Sequence, residues 1–142
     1  MDPDELAVLR KESDAVYVAL DRALRSRRGD GTWAPAQVYG HLARWLAVSA
    51  AKLTRHRQGL PESEEDEDED TLNDRWAAED AALSPEEARA RCDAARTALF
   101  TLLEVVPTGE WTETVDRIAR DDTVDHPRAH LESITDGAGG AG

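Results

Sequence analysis

Apolar residues recur at spacings of three and four along this chain, and no stretch reads as a convincing alternating strand, so helices are the regular structure open to it. Leu6, Leu9, Ser13, Val16, Leu20 and Leu24 fall on one face of a first helix. Asp2 can cap that helix, with Pro3 at its first position and Glu5 three residues after the cap, and Gly29-Asp30-Gly31 should end it. A second helix is predicted from about Pro35 to Arg57, with Val38, Leu42, Trp45, Ser49 and Leu53 facing inward and Gly59 and Pro61 beyond its end. Ala34 stands where a Ser or Thr cap is expected, a loss of about 1 kcal/mol. A short helical piece follows at about Leu72 to Leu83. Ser84-Pro85-Glu86-Glu87 then has the form of a capping box and opens a third long helix, whose stripe is Ala88, Cys92, Ala95, Leu99, Leu102 and Val106. The last helical region, about Glu110 to Thr135, carries Val115, Ile118, Val124, Leu131 and Ile134, and residues 137–142 read as a flexible Gly-rich tail. The predicted fold is all-α. A single four-helix bundle spans residues 1–136, with a long acidic connection (58–72) between the second and third long helices.

That connection dominates the charge. Residues 62–70 hold eight carboxylates and no cation, out of a formal net charge of −13 for the 142-residue chain. A segment that repels itself and buries nothing is expected to be mobile, although a recognition segment for a basic partner is an alternative reading. The remainder is only mildly acidic. Its basic clusters (Arg22, Arg25, Arg27, Arg28; Lys52, Arg55, Arg57) sit near helix ends, where cations favour the helix dipole, so no nucleic-acid footprint is expected. No run approaches the ~18 apolar residues of a membrane span, and Met1-Asp2-Pro3-Asp4-Glu5 lacks the apolar core of a secretory signal. A cytoplasmic protein is expected. One Cys excludes an internal disulfide, and Cys92, on an apolar stripe, reads as a small core residue rather than a nucleophile. No Ser/His/Asp triad, phosphate loop or CxxC motif is present.

The histidines carry more information. His126 and His130 are four apart, so on a helix their rings share one face about one turn apart. His41 lies three residues after Val38 and four before Trp45, at the border of the second helix's inner stripe. Helix bundles build metal sites from such inward-pointing side chains, and three His ligands leave coordination positions for water or substrate. An i,i+4 His pair is by itself a weak signal, since His is also common as a hydrogen-bonded border residue of a core. His56, between Arg55 and Arg57, is expected to be exposed.

Trp33 followed by Val38-Tyr39-Gly40-His41-Leu42-Ala43-Arg44-Trp45 resembles the second-helix signature of the DinB/YfiT-like superfamily, in which a Trp precedes V-x-x-H-L-x-x-W. Ser84 to Val106 resembles that family's third helix. Thr123 to Ile134, with His126-Pro127-Arg128-Ala129-His130-Leu131, resembles its last helix, which carries H-x-x-x-H-L. The resemblance implies a four-helix bundle whose His41, His126 and His130 bind one divalent transition metal (zinc, nickel, iron or manganese), with Asp122 or Asp125 as reserve ligands. It further implies a metal-dependent transferase or hydrolase that activates a thiol or water toward a small electrophile, with a low-molecular-weight thiol as co-substrate, and a homodimer as the assembly relatives often form. Arg44 and Arg128 are the cations nearest the histidines in sequence, and Trp33 and Trp111 could line a pocket. Pro127 departs from the pattern. It should push His126 from helical dihedrals or kink the helix, which favours the alternative of a metal-free binding or dimerisation module.

Overall fold

Side-chain caps set where the helices begin. The computed structural model describes residues 1–27, 30–61 and 68–141. Asp2 accepts the Glu5 N–H at 2.8 Å and starts α1 (Pro3–Arg27). α2 (Pro35–Arg57) lacks a side-chain cap at Ala34, but the Gln37 carbonyl accepts the Ala34 N–H at 2.8 Å and restores half of a capping box. At the other end, Gly59 adopts φ 71°, and the Leu60 N–H returns to the Arg55 carbonyl, a turn that glycine makes without strain. α3 (Glu69–Asp80) starts three residues earlier than the sequence suggests, because Asp68 caps it and Glu69 and Asp70 sit in its first turn. Ser84 caps α4 (Pro85–Glu104) by accepting the Glu87 N–H.

The expected acidic connection is therefore helical from residue 69 onward, and residues 62–67 of it lie outside the described residues. The last predicted helix is broken up. A 3₁₀ turn (Thr108–Glu110) leads to α5 (Glu113–Arg120), a π-helical turn (Asp121–Asp125) and α6 (His126–Ala141). Helix thus continues to Ala141 through most of the predicted Gly-rich tail, since propagating an existing helix costs far less than nucleating one. Gly142 lies outside the described residues. All regular structure among the described residues is helical, and none of their helices is long and apolar enough to cross a membrane.

Packing follows the stripes. All six predicted core positions of α1 are buried, and Tyr17 joins them. α2 runs along α4, with α3 on another side and the π-helical turn against it, so Tyr39, Gly40, His41 and Leu46 are buried as well as Val38, Leu42, Ser49 and Leu53 of the predicted stripe, while Trp45 is only partly buried. α4 presents Ala88, Cys92, Leu99, Phe100 and Leu103, a face turned slightly from the predicted one. α1 packs along α6. α3 packs tightly against α2 at Gly40, where an added Cβ would lie 2.9 Å from the Asp80 Cβ. Asp80 is buried and accepts two hydrogen bonds from the Arg44 guanidinium, at 3.0 and 2.9 Å.

Pro127 neither expels His126 from the helical region (φ −66°, ψ −52°) nor ends the helix. The chain absorbs it one turn earlier. In an α-helix the His126 N–H would bond the Asp122 carbonyl; here it reaches back to the Asp121 carbonyl, the wider π register. In that register the Asp122 carbonyl would face the nitrogen of residue 127, which as proline has no N–H. The buried Tyr17 hydroxyl supplies the missing donor, at 3.0 Å. A proline defect on one helix is thus satisfied from another.

Two outcomes follow from this packing. Gly40→Ala should destabilise the fold by about 1–3 kcal/mol in chemical denaturation, because overpacking against Asp80 outweighs the gain of up to about 1 kcal/mol in helix propensity. Burial pushes the Cys92 thiol up to about 12, with the Asp93 charge adding to the shift. At pH 8 a disulfide-exchange reagent should therefore label Cys92 in the native protein at least about a hundredfold more slowly than in the unfolded chain. Rapid native labelling would contradict the packing.

Candidate metal centre

His41 projects from the buried side of α2, while His126 and His130 project from the first two turns of α6. The three rings converge. The His126 Nε2 lies 2.8 Å from the His41 Nε2 and 3.2 Å from the His130 Nε2. Two nitrogens bound at about 2.1 Å to one ion sit about 3.0–3.4 Å apart, so the cluster already has roughly the span of a ligand set. Among the described residues it is the one group of three or more His, Cys or carboxylate side chains so arranged.

Hydrogen bonds to the far nitrogens decide the chemistry. The Asp122 carboxylate lies 2.9 Å from the His126 Nδ1, and the Asp30 carboxylate lies 2.8 Å from the His130 Nδ1. A carboxylate can only accept, so each Nδ1 must carry a proton, and in the neutral form of either ring the lone pair then sits on Nε2. Those two lone pairs face each other. Burial lowers the basicity of His130, and it lowers His41 to about 3, with help from the neighbouring imidazoles. Both rings are neutral near pH 7. Converging imidazole nitrogens, two of them on rings oriented by an outer carboxylate, are the donor chemistry of a divalent transition-metal site.

Both carboxylates are themselves anchored. Ser49, two turns beyond His41 on α2, donates its hydroxyl to the second oxygen of Asp122. Ser133 donates to the second oxygen of Asp30 at 2.8 Å. Asp30 sits in a tight turn with Gly31 at φ 60° and Trp33 paired back to it through two backbone hydrogen bonds of 2.9 Å. That turn also sets the Trp33 ring 4.9 Å from His41 and 6.3 Å from His130, centroid to centroid. Trp45 meets His41 edge-on from the other side, at 6.4 Å. The His41 Nδ1 is buried with no hydrogen-bond partner.

The structure brings His41, His126 and His130 together, as the sequence suggests, and places Trp33 against them. Asp122 contacts the centre as a partner of His126 rather than pointing at the shared nitrogens, and Asp125 is exposed. Arg44 is turned away into its ion pairs with Asp80 and Glu79, and Arg128 pairs with Glu12 at the surface. Trp111 packs beside the N-terminus of α1, away from the centre, and His56 is an exposed neighbour of Thr112. Sequence reasoning missed Asp30, Ser49, Ser133 and Tyr17 as supports. Ser49 did leave a signal, as a hydroxyl on an otherwise apolar stripe; Asp30 left none, because its partner is 100 residues away.

Asp30→Ala should leave the His130 N–H unpaired in a half-buried site and cost about 1–3 kcal/mol in thermal or denaturant unfolding. An unchanged midpoint would mean that the turn does not hold α6.

A sequence model described as the DinB superfamily matches residues 5–136 of this chain. No curated protein and no solved structure matched it. The match spans both helices that supply the imidazoles, and with nearly the whole length covered the chain belongs to the DinB superfamily.

Proposed function

We propose that this protein is a metal-dependent enzyme in which His41, His126 and His130 hold one divalent transition metal, and that it transfers a thiol to, or hydrolyses, a small electrophile. The observation that carries this reading is the pairing of convergent Nε2 atoms with carboxylate-held Nδ1 atoms. In the same reading α5, the π-helical turn and α6 together form one bent helix, the fourth of a four-helix bundle. Pro127, which in the sequence favoured a metal-free module, loses that weight because the π register absorbs it.

A metal bound here would supply Lewis acidity, lowering the pKa of a thiol or water enough to give a nucleophile at neutral pH. The chain's own residues do the rest. Asp122 and Asp30 keep two imidazoles in the donating tautomer, and Trp33 and Trp45 flank His41 and keep water from its ring. A cavity of about 180 Å³ lies on the Ser49 and Asp122 side of the centre, walled also by Trp45, Lys52, Glu69 and Arg117, and none of the three imidazoles lines it. Zinc, nickel, iron and manganese all accept imidazole donors, so the metal is set by supply as much as by this geometry. A cytoplasmic location and a homodimer belong to the same proposal.

Protein purified without an affinity tag should contain about one transition metal per chain, or take up one zinc or nickel in calorimetric titration. Alanine at His41, His126 or His130 should weaken binding by more than the 10–100-fold typical of removing a ligand's supporting partner, while His56→Ala leaves it unchanged. No stoichiometric metal and no thermal shift with zinc or nickel would retire the enzyme and leave a metal-free module.

A further inference from the structure

Every polar atom that Asp122 offers beyond its own N–H is occupied. One carboxylate oxygen faces the His126 Nδ1, the other accepts from Ser49, and the backbone carbonyl accepts from Tyr17. These partners come from α6, α2 and α1, three separate elements. Both hydroxyl donors lie in buried residues, Ser49 at 5% exposure and Tyr17 at 4%. Neither reaches the shared Nε2 atoms. Ser49 binds the Asp122 side chain and Tyr17 its backbone carbonyl, while the Tyr17 ring also lies under the Arg96 guanidinium.

Such a convergence has a purpose only if the position of Asp122 matters. Without the Tyr17 hydroxyl, the carbonyl orphaned by Pro127 would be buried and unpaired, and the turn could recover a partner only by moving toward water. Without the Ser49 hydroxyl, the carboxylate could rotate and release the His126 Nδ1. Once that hydrogen bond is lost, the His126 proton can move to Nε2, where it would point at the other two imidazoles and block the donor. A π-helical turn beside a functional residue is a common way of aiming a side chain that a regular helix would misplace. Here the turn shifts Asp122 relative to His126 while keeping the two within one turn of each other.

We infer that Tyr17 and Ser49 are positioning residues of the centre, acting through Asp122 to keep the His126 proton on Nδ1 and its Nε2 free to bind a metal. This deepens the reading of His41, His126 and His130 as ligands and rests on it for its metal-binding consequence. The tautomer itself does not depend on a metal.

The test therefore has two readouts on the metal-free and metal-titrated full chain. In ¹⁵N NMR of the metal-free protein at fixed pH, His126 should show a dominant Nδ1–H tautomer. Ser49→Ala and Tyr17→Phe should each shift it toward Nε2–H, and Ser49→Thr, which restores a hydroxyl, should recover the native pattern. Cobalt titration followed by its visible absorption bands should show binding weakened about 10–100-fold in Ser49→Ala and Tyr17→Phe and restored in Ser49→Thr. Tyr39→Phe serves as control. It removes another buried hydroxyl bonded to a carboxylate, that of Asp21, outside the centre, and should change neither readout. If Tyr17→Phe fails to fold, the two Ser49 variants decide the matter. An unchanged His126 tautomer and unchanged cobalt affinity in the folded variants would overturn the inference, even if their stability fell. A shifted tautomer in a protein that binds no metal would uphold the positioning role and overturn the metal reading instead.

Discussion

Two carboxylate-to-imidazole hydrogen bonds govern this molecule. By holding protons on the outer nitrogens of His126 and His130, Asp122 and Asp30 turn the inner nitrogens into lone pairs aimed at a common point. In water such an arrangement would disperse, because nothing favours bringing lone pairs to 3.2 Å. It persists because the participants are anchored on four different segments of a packed helical core. The π-helical turn carries Asp122, the α1–α2 turn carries Asp30, and α2 and α6 carry the imidazoles.

The same logic explains the irregularities of the fold. The last helical region is interrupted where Asp122 must face both a ring and a serine, and Pro127 enforces the interruption by removing one donor from the ladder. The α1–α2 connection is tight because its Asp and Trp both work against the centre. On the far side of α2, Gly40 lets α3 approach until Asp80 and Arg44 lock together, fixing the axis from which His41 projects. Two of the departures from regular helix, the π-helical turn and the tight α1–α2 turn, thus lie at the imidazoles.

Much of this was legible in the sequence, for physical reasons that can be named. The α1 stripe from Leu6 to Leu24 and the caps at Asp2 and Ser84 are local signals, set by helical period and by orphan N–H groups, and the structure realises them. The three histidines were legible because two are one helical turn apart and the third lies in a recognisable motif. What was not legible is non-local. Asp30 to His130 and Tyr17 to Asp122 join residues 100 and 105 positions apart, and no periodicity reports such a bond. The π register was hidden for a related reason. Pro127 signals trouble in a helix, but whether the chain kinks, stops or widens depends on what donor tertiary packing brings to the freed carbonyl. The early start of α3 was missed because Asp68 looked like one more charge in an acidic run, when it is a cap.

The central claim is that His41, His126 and His130 share one cation through Nε2. X-ray absorption spectroscopy of the zinc- or cobalt-loaded protein tests it most directly, since imidazole ligands give characteristic multiple scattering. Three imidazole nitrogen donors are expected at about 2.0–2.1 Å, with exchangeable ligands such as water in the remaining positions. A loaded ion surrounded by carboxylate oxygens with no imidazole scattering would place the metal elsewhere on this acidic chain and contradict it.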